Sequence, residues 1–164
     1  MTEKKSNNIW EFAKTILWAV LIATVVRTTS YEPFNIPSGS MIPTLLVGDY
    51  LFVSKFSYGY SRYSMPLSPP IISERIFASL PARGDVVVFR KPTDTDVDYI
   101  KRIIGLPGDK VQMKNGSLYI NGKLIKRRRI EGMPKMDPFG RKFLVPQFVE
   151  TLPNGRSYRI LEVL

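Results

Sequence analysis

Two residues in this sequence have the type and setting for nucleophilic chemistry: Ser40 and Lys101. Ser40 lies in Phe34-Asn35-Ile36-Pro37-Ser38-Gly39-Ser40-Met41-Ile42-Pro43-Thr44-Leu45. Pro37 and Pro43 bracket the segment and hold it extended, and Gly39 permits close backbone approach beside the hydroxyl. Phe34, Ile36, Met41 and Leu45 put apolar surface next to it. Lys101 lies in Asp98-Tyr99-Ile100-Lys101-Arg102-Ile103-Ile104. On a strand, Tyr99, Lys101 and Ile103 share one face, and Ile100, Arg102 and Ile104 share the other. An amine among apolar neighbours, with no anion to hold its charge, is the kind that becomes a general base. Its ordinary pKa of about 10.4 must fall before it is neutral at physiological pH. Taken singly, neither residue compels this reading. Lys101 equally suits a strand-edge lysine that guards against aggregation, and Ser40 equally suits an ordinary Ser-Gly-Ser loop.

The absence of histidine narrows the chemistry further. A Ser-His-Asp triad is excluded, as is any His-ligated metal. The absence of cysteine excludes disulfides, thiol catalysis and thiolate zinc sites. A base, if the chain uses one, is lysine, tyrosine or a carboxylate. Asp94, Asp96 and Asp98 have the opening spacing of a calcium loop, but its sixth position is Tyr99 instead of glycine and its twelfth is Gly105 instead of glutamate. No serine is followed three positions later by lysine, so the Ser-x-x-Lys motif is absent. No metal or cofactor is expected.

The elements that must carry these groups follow from the hydrophobic pattern. A near-apolar run, Thr15 to Val26, is extended at its front by Ile9 to Ala13. Its residues leave no polar face, and it lacks the small-x-small pattern of a cleavable leader. It is expected to be a single membrane anchor. Lys4, Lys5 and Lys14 precede the run or lie at its front, and Arg27 alone follows it. The positive-inside rule therefore puts the N-terminus in the cytoplasm and the rest outside. From Tyr31 onwards the texture is β. Asp49 to Phe56, Asp85 to Phe89 and Tyr99 to Ile104 read as strands. Asn115-Gly116 and Asn121-Gly122 separate three more in a meander over roughly Asp109 to Arg129. Phe143 to Val149 and Tyr158 to Val163 are further strands. The Tyr/Ser/Pro-rich insertion at 57–83 carries one or two helical turns at Ile72 to Leu80. The expected organisation is a tip and anchor at 1–29 and a β-rich domain at 30–164. The net charge of +10 favours an anionic partner. The basic run Lys126-Arg127-Arg128-Arg129 lacks interleaved aromatics, so a membrane surface is expected and nucleic acid is not.

The strings IPSGSMIPTL, RGDVVVF and YIKRIIGLPGD, in this order, resemble type I signal peptidases, a family of serine proteases with a Ser/Lys dyad. The resemblance runs from the anchor to about Gly108 and more loosely beyond. It implies a mainly β, antiparallel catalytic domain behind one transmembrane helix. It implies Ser40 as nucleophile and Lys101 as general base, with the Ser38 hydroxyl and the Ser40 N–H as oxyanion donors. It implies Phe34, Ile36, Pro37, Val88, Tyr99 and Ile100 as the lining of pockets for small side chains, and Met41 and Leu45 as surface that meets the bilayer. The implied substrates are signal peptides of exported preproteins. The implied location is the bacterial inner membrane, single-pass, with the catalytic domain outside. The family also has a C-terminal Gly-Asp-Asn-Arg-Asp-Asn-Ser box, which this chain does not contain. The corresponding expectation is a fold left incomplete after Leu164, with Lys101 not held against Ser40 and little cleavage. Three readings stay open on the sequence. One is a membrane-bound endopeptidase, and another is an inactive anchored remnant that binds peptides or a partner. The third, a soluble relative of the self-cleaving Ser/Lys repressor proteases, sits poorly with the anchor.

Overall fold

The computed structural model describes residues 3–65 and 67–162. Val163 and Leu164, the end of the expected last strand, lie outside the described residues, as do Met1 and Thr2 of the N-terminal tip. The fold is one N-terminal helix followed by short antiparallel sheets, as the pattern requires. Two compact units are present. One comprises Met1–Phe34 and Tyr50–Leu80, the other Asn35–Asp49 and Pro81–Leu164.

In the first unit, helix α1 covers Glu3–Thr29. Within its stretch Asn8–Thr29 an 18-residue window reaches a mean hydropathy of 1.7, and no residue of that window is buried in the protein. At about 1.5 Å per residue this stretch is about 33 Å long, enough for a hydrocarbon core of about 30 Å. Several of its polar side chains find partners within the helix. The Thr15 and Thr29 hydroxyls donate to the carbonyls of Glu11 and Val25, and Lys14 pairs with Glu11 at 3.0 Å. Strand β1 (Tyr31–Asn35) pairs with β2 (Tyr50–Ser54). Beyond them, Lys55 is nearly buried, and its amine contacts Glu32 at 3.1 Å and donates to the Ser64 carbonyl at 2.7 Å. The helical turns expected at Ile72 to Leu80 are not formed. Tyr60 and Ile76 exchange backbone hydrogen bonds as an isolated antiparallel bridge, and Arg75 donates to the Tyr58 and Gly59 carbonyls. These long-range partners take the backbone groups that a local helix needs. The helical turn in this insertion is a 3-10 turn at Arg62–Ser64.

The second unit holds β3 (Val86–Lys91) paired antiparallel with β4 (Asp94–Arg102). A meander follows, made of β5 (Val111–Lys114), β6 (Ser117–Ile120) and β7 (Lys123–Leu124). A larger sheet has the order β10–β9–β8, from β8 (Lys126–Met136), β9 (Lys142–Thr151) and β10 (Ser157–Leu161). Both Asn-Gly pairs sit at positive φ, as two-residue hairpin turns demand. The core is Leu118, Ile120, Ile125 and Leu152, with Ile104 and Tyr158 packed against it. Leu118 and Ile120, two apart on β6, point inward together. Tyr158 donates to the buried Glu150 carboxylate at 2.6 Å, and burial pushes its phenol well above the usual range.

The turn after β4 is fixed to the meander by Asp109. Its carboxylate accepts the Leu106 N–H at 2.6 Å and the Asn121 amide at 2.7 Å, and it pairs with Arg83 at 2.7 Å. Arg83 also donates to the Ile104 carbonyl at 2.6 Å, which anchors the end of the segment that carries Lys101. The backbone hydrogen bond from Leu106, then that from Asn121, holds the Asp109 carboxyl below the usual carboxylate range. An unfolded chain takes up this proton near about pH 3.9 and the folded chain only at lower pH. Stability from Asp109 is therefore present above that pH and is lost as pH falls through the folded value. Asp109→Asn is expected to lower the melting temperature at pH 6 and to flatten its decline towards pH 3. Parallel curves for the two proteins would exclude this role.

Candidate active site

The segment from Ile36 to Asp49 is closed at its neck by backbone hydrogen bonds. The Ile36 N–H donates to the Asp49 carbonyl, and the Gly48 N–H donates to the Ile36 carbonyl, both at 2.9 Å. Ile36 is buried at this neck, 3% exposed. The Asp49 carboxylate accepts the Leu46 N–H at 2.8 Å and rounds off the far side. At the near side, Gly39–Met41 forms a 3-10 turn entered from an extended Ser38. Gly39 lets the Ile42 side chain come close: a Cβ here would stand 2.9 Å from Ile42 Cδ1 and make that flexible end shift. The turn leaves both serine hydroxyls exposed and aims them at the same space, with Ser38 Oγ and Ser40 Oγ 3.4 Å apart.

Strand β4 brings Lys101 to this turn. Lys101 Nζ donates to Ser40 Oγ at 2.6 Å across 61 positions of sequence. The same nitrogen donates to the Ile100 carbonyl at 3.0 Å and lies 5.3 Å from the centre of the Tyr99 ring. None of these partners is an anion. Tyr99 and Lys101 thus share the strand face that the pattern assigns them, and the side chain of Lys101 is half-buried. The expectation that the amine is not held against Ser40 does not match this geometry. The pairing of β3 with β4 sets the position: Val87 stands opposite Lys101, and Val88 opposite Ile100.

The other residues named from the sequence are distributed as follows. Ser38 lies beside Ser40, and Pro37 is exposed just before it. Met41 and Leu45 are half-buried on the loop that carries Ser40. Val88 and Ile100 are half-buried cross-strand neighbours, and Tyr99 packs edge-on against Phe89 at 6.0 Å. Ile36 serves the neck. Phe34 is half-buried on β1, in the first unit.

Arg102 was not singled out by its sequence context and has a clear structural part. Its guanidinium donates to the Gly84 carbonyl at 2.8 Å and to Thr44 Oγ1 at 3.3 Å, and it stacks on the Tyr158 ring at 4.7 Å. Burial lowers its pKa from the usual value. Arg102 therefore links the loop of Ser40, through Thr44, to the strand of Lys101. It is a positioning residue on the opposite face of β4. The one clue in the sequence was its adjacency to Lys101, since its partners lie 18 and 58 positions away.

The arrangement is a hydroxyl within proton-transfer distance of a primary amine, with a second hydroxyl beside it. Among the described residues no cluster of acidic side chains is placed to hold a metal ion. The family described as "Signal peptidase, peptidase S26" matches residues 9–158. Curated relatives include "Signal peptidase I" of Rickettsia typhi, 49% identical over 150 residues, which cover 90% of this chain and 55% of the relative. "Signal peptidase I" of Rickettsia canadensis is 47% identical over 159 residues, 96% of this chain and 57% of the relative. That of Rickettsia akari is 46% identical over 163 residues, 96% and 60%. The chain thus spans little more than half the length of the curated relatives it matches. With a family match across nearly its whole length, the chain belongs to the signal peptidase, peptidase S26, family.

Proposed function

We propose that this protein is a membrane-bound serine endopeptidase that removes signal peptides from exported preproteins, with Ser40 as nucleophile and Lys101 as general base. The observation that carries this reading is the 2.6 Å contact between Lys101 Nζ and Ser40 Oγ. It falls in the range required for direct proton transfer, about 2.6–3.2 Å. With the amine neutral, the same contact runs in reverse and Ser40 donates its proton to nitrogen. The Ser40 oxygen then attacks the scissile carbonyl carbon. Negative charge gathers on the carbonyl oxygen, where the Ser38 hydroxyl and the Ser40 N–H serve as donors. The C–N bond breaks as the Lys101 ammonium returns its proton to the leaving amine, and an acyl ester remains on Ser40. Water, deprotonated by Lys101, attacks that ester and releases the new carboxylate and the free serine. No cofactor enters the sequence of steps.

Helix α1 serves as the anchor in this reading. Lys4, Lys5 and Lys14 in its N-terminal half, against the single Arg27 in its last turn, favour a cytoplasmic N-terminus in the bacterial inner membrane. Met41 and Leu45 would face the bilayer. The substrate binds extended along the β3–β4 edge, with main-chain hydrogen bonds. Ile36, Pro37, Val88, Tyr99 and Ile100 favour small residues before the cut.

The test is cleavage of a preprotein with alanine at the first and third positions before the scissile bond, by the purified chain in detergent. Cleavage after the second alanine is expected. Replacing the alanine next to the bond with leucine should reduce the rate by at least about tenfold, the worth of a misplaced aliphatic group in a small pocket. Cleavage indifferent to that replacement would overturn the specificity. No cleavage of either substrate would favour an anchored peptide-binding role.

A further inference from the structure

The hairpin of β8 and β9 ends in a tip unlike the rest of the sheet. Where the inner ends of these strands bury Val145, Gln147 and Glu150, the outer end leaves Met136, Phe139, Phe143 and Leu144 exposed. Phe139, at the apex, is 83% exposed. Such a side chain on a loose loop would be unremarkable, but this turn is held. The Asp137 carboxylate accepts the N–H groups of Phe139 and Arg141 at 2.9 and 2.8 Å, and the Arg141 guanidinium at 2.7 Å. Backbone bonds Asp137 N–H to Arg141 carbonyl and Gly140 N–H to Asp137 carbonyl, both at 3.0 Å, close the loop. Gly140 takes φ +81°, which lets the chain reverse in so few residues. The fold therefore constrains an aromatic ring to point into solvent.

The charges around that ring are one-sided. Lys135, Arg141 and Lys142 flank it in the chain, the Arg141 guanidinium 5.5 Å from the ring centre, and the single carboxylate in the tip, Asp137, is already engaged by the turn. Lys142 stands opposite Met136, and Lys135 opposite Phe143, so each face of the ribbon end carries an apolar group beside a cation. Apolar apex and flanking ammonium groups match one surface in particular, a bilayer with anionic headgroups. There the ring enters the boundary of the acyl chains and the lysines stay among the phosphates. Helix α1 is long and apolar enough to span such a bilayer, and in the proposed function it holds the chain beside one.

We propose that the β8–β9 tip is a second membrane contact, in which Phe139 inserts into the interfacial layer of an anionic bilayer and Lys135 and Lys142 bind its headgroups. This contact is separate from the dyad and does not depend on the proposed catalysis. It gives the sheet β10–β9–β8 a fixed tether of its own.

The chain lacks cysteine, so one introduced thiol reports one place. Pro138→Cys, labelled with the fluorophore NBD, is placed in the full chain reconstituted in nanodiscs, either all phosphatidylcholine or one-third phosphatidylglycerol. Lys123→Cys, on the exposed strand β7, is the control. The expected result is blue-shifted emission at position 138 and quenching by nitroxide-labelled lipid in the anionic discs, with neither at 123. Lys135→Gln and Lys142→Gln should each lower the inserted-to-free ratio roughly fivefold. Phe139→Ser should lower it at least about tenfold. Positions 123, 138, 139 and 142 are exposed and Lys135 is half-buried, and circular dichroism of each variant confirms that the fold is kept. A label at 138 as wet as that at 123 would overturn the proposal. So would equal quenching in both lipids, which removes the headgroup contacts. A blue shift that grows with protein density but escapes lipid quenching would assign the tip to a second copy of the chain and would likewise overturn it.

Discussion

Ser40→Ala is expected to lower cleavage of a preprotein by on the order of 10⁴–10⁶, while leaving the fold and substrate binding in place. The alanine removes the atom that forms the acyl ester, so no part of the covalent route survives. Its exposed position on the 3-10 turn means that the hydroxyl gives up its hydrogen bonds with Lys101 and Ser38 without opening a buried cavity. Ser38 provides the sharpest internal control, because its Oγ lies only 3.4 Å from that of Ser40. The amine touches Ser40 at 2.6 Å, and that asymmetry favours Ser40 over Ser38 as the proposed nucleophile. As an oxyanion donor, Ser38 should cost only about 10²–10³ when replaced by alanine, and acyl-enzyme should still form. Single-turnover assays on the two variants, with trapping of the acyl-enzyme and mass spectrometry of the modified peptide, decide the matter. An ester on Ser38, or an Ser40→Ala variant within tenfold of the parent, would exclude Ser40 as nucleophile.

Much of the scaffold around these residues is legible in the sequence, for identifiable reasons. The Asn-Gly pairs impose positive φ at two points, which pins the meander. The alternation of Leu118 and Ile120 marks an inward face. Tyr99 and Lys101, two apart on β4, had to share a side. Strand β8 was hidden beyond Arg129, because Gly132 and Pro134 look like punctuation. The pairing with β9 tolerates them by slipping register between Ile130 and Met133. Local texture could not show this, since the partner strand supplies the compensation. The helical turns expected at Ile72 to Leu80 failed for the same reason, with Tyr60 and Arg75 providing long-range alternatives. At the site, the chemical types of Ser40 and Lys101 could be read, but the contact between them depends on the closed loop at Ile36, on the register of β3 with β4, and on Arg102 binding Thr44.

Lys101→Arg is expected to lower the cleavage rate by at least on the order of 10²–10⁴, the usual worth of a general base. The choice of arginine isolates the proton-transfer role from the charge and from hydrogen bonding. A guanidinium can still donate to Ser40 Oγ and to the Ile100 carbonyl, and it can still stack near the Tyr99 ring. It has no lone pair to accept the serine proton, and it stays protonated at every working pH. If Lys101 only fixed the rotamer of Ser40, or only offset negative charge in the transition state, arginine would retain much of the activity. Methionine at the same position, close to the shape of the lysine stem and without charge, removes all three roles. Both variants should therefore be equally inactive if proton transfer is the role that matters. An arginine variant that retains a tenth or more of the parent rate would remove Lys101 from the role of base. The contact at 2.6 Å would then be a structural hydrogen bond that holds the loop of Ser40 against β4.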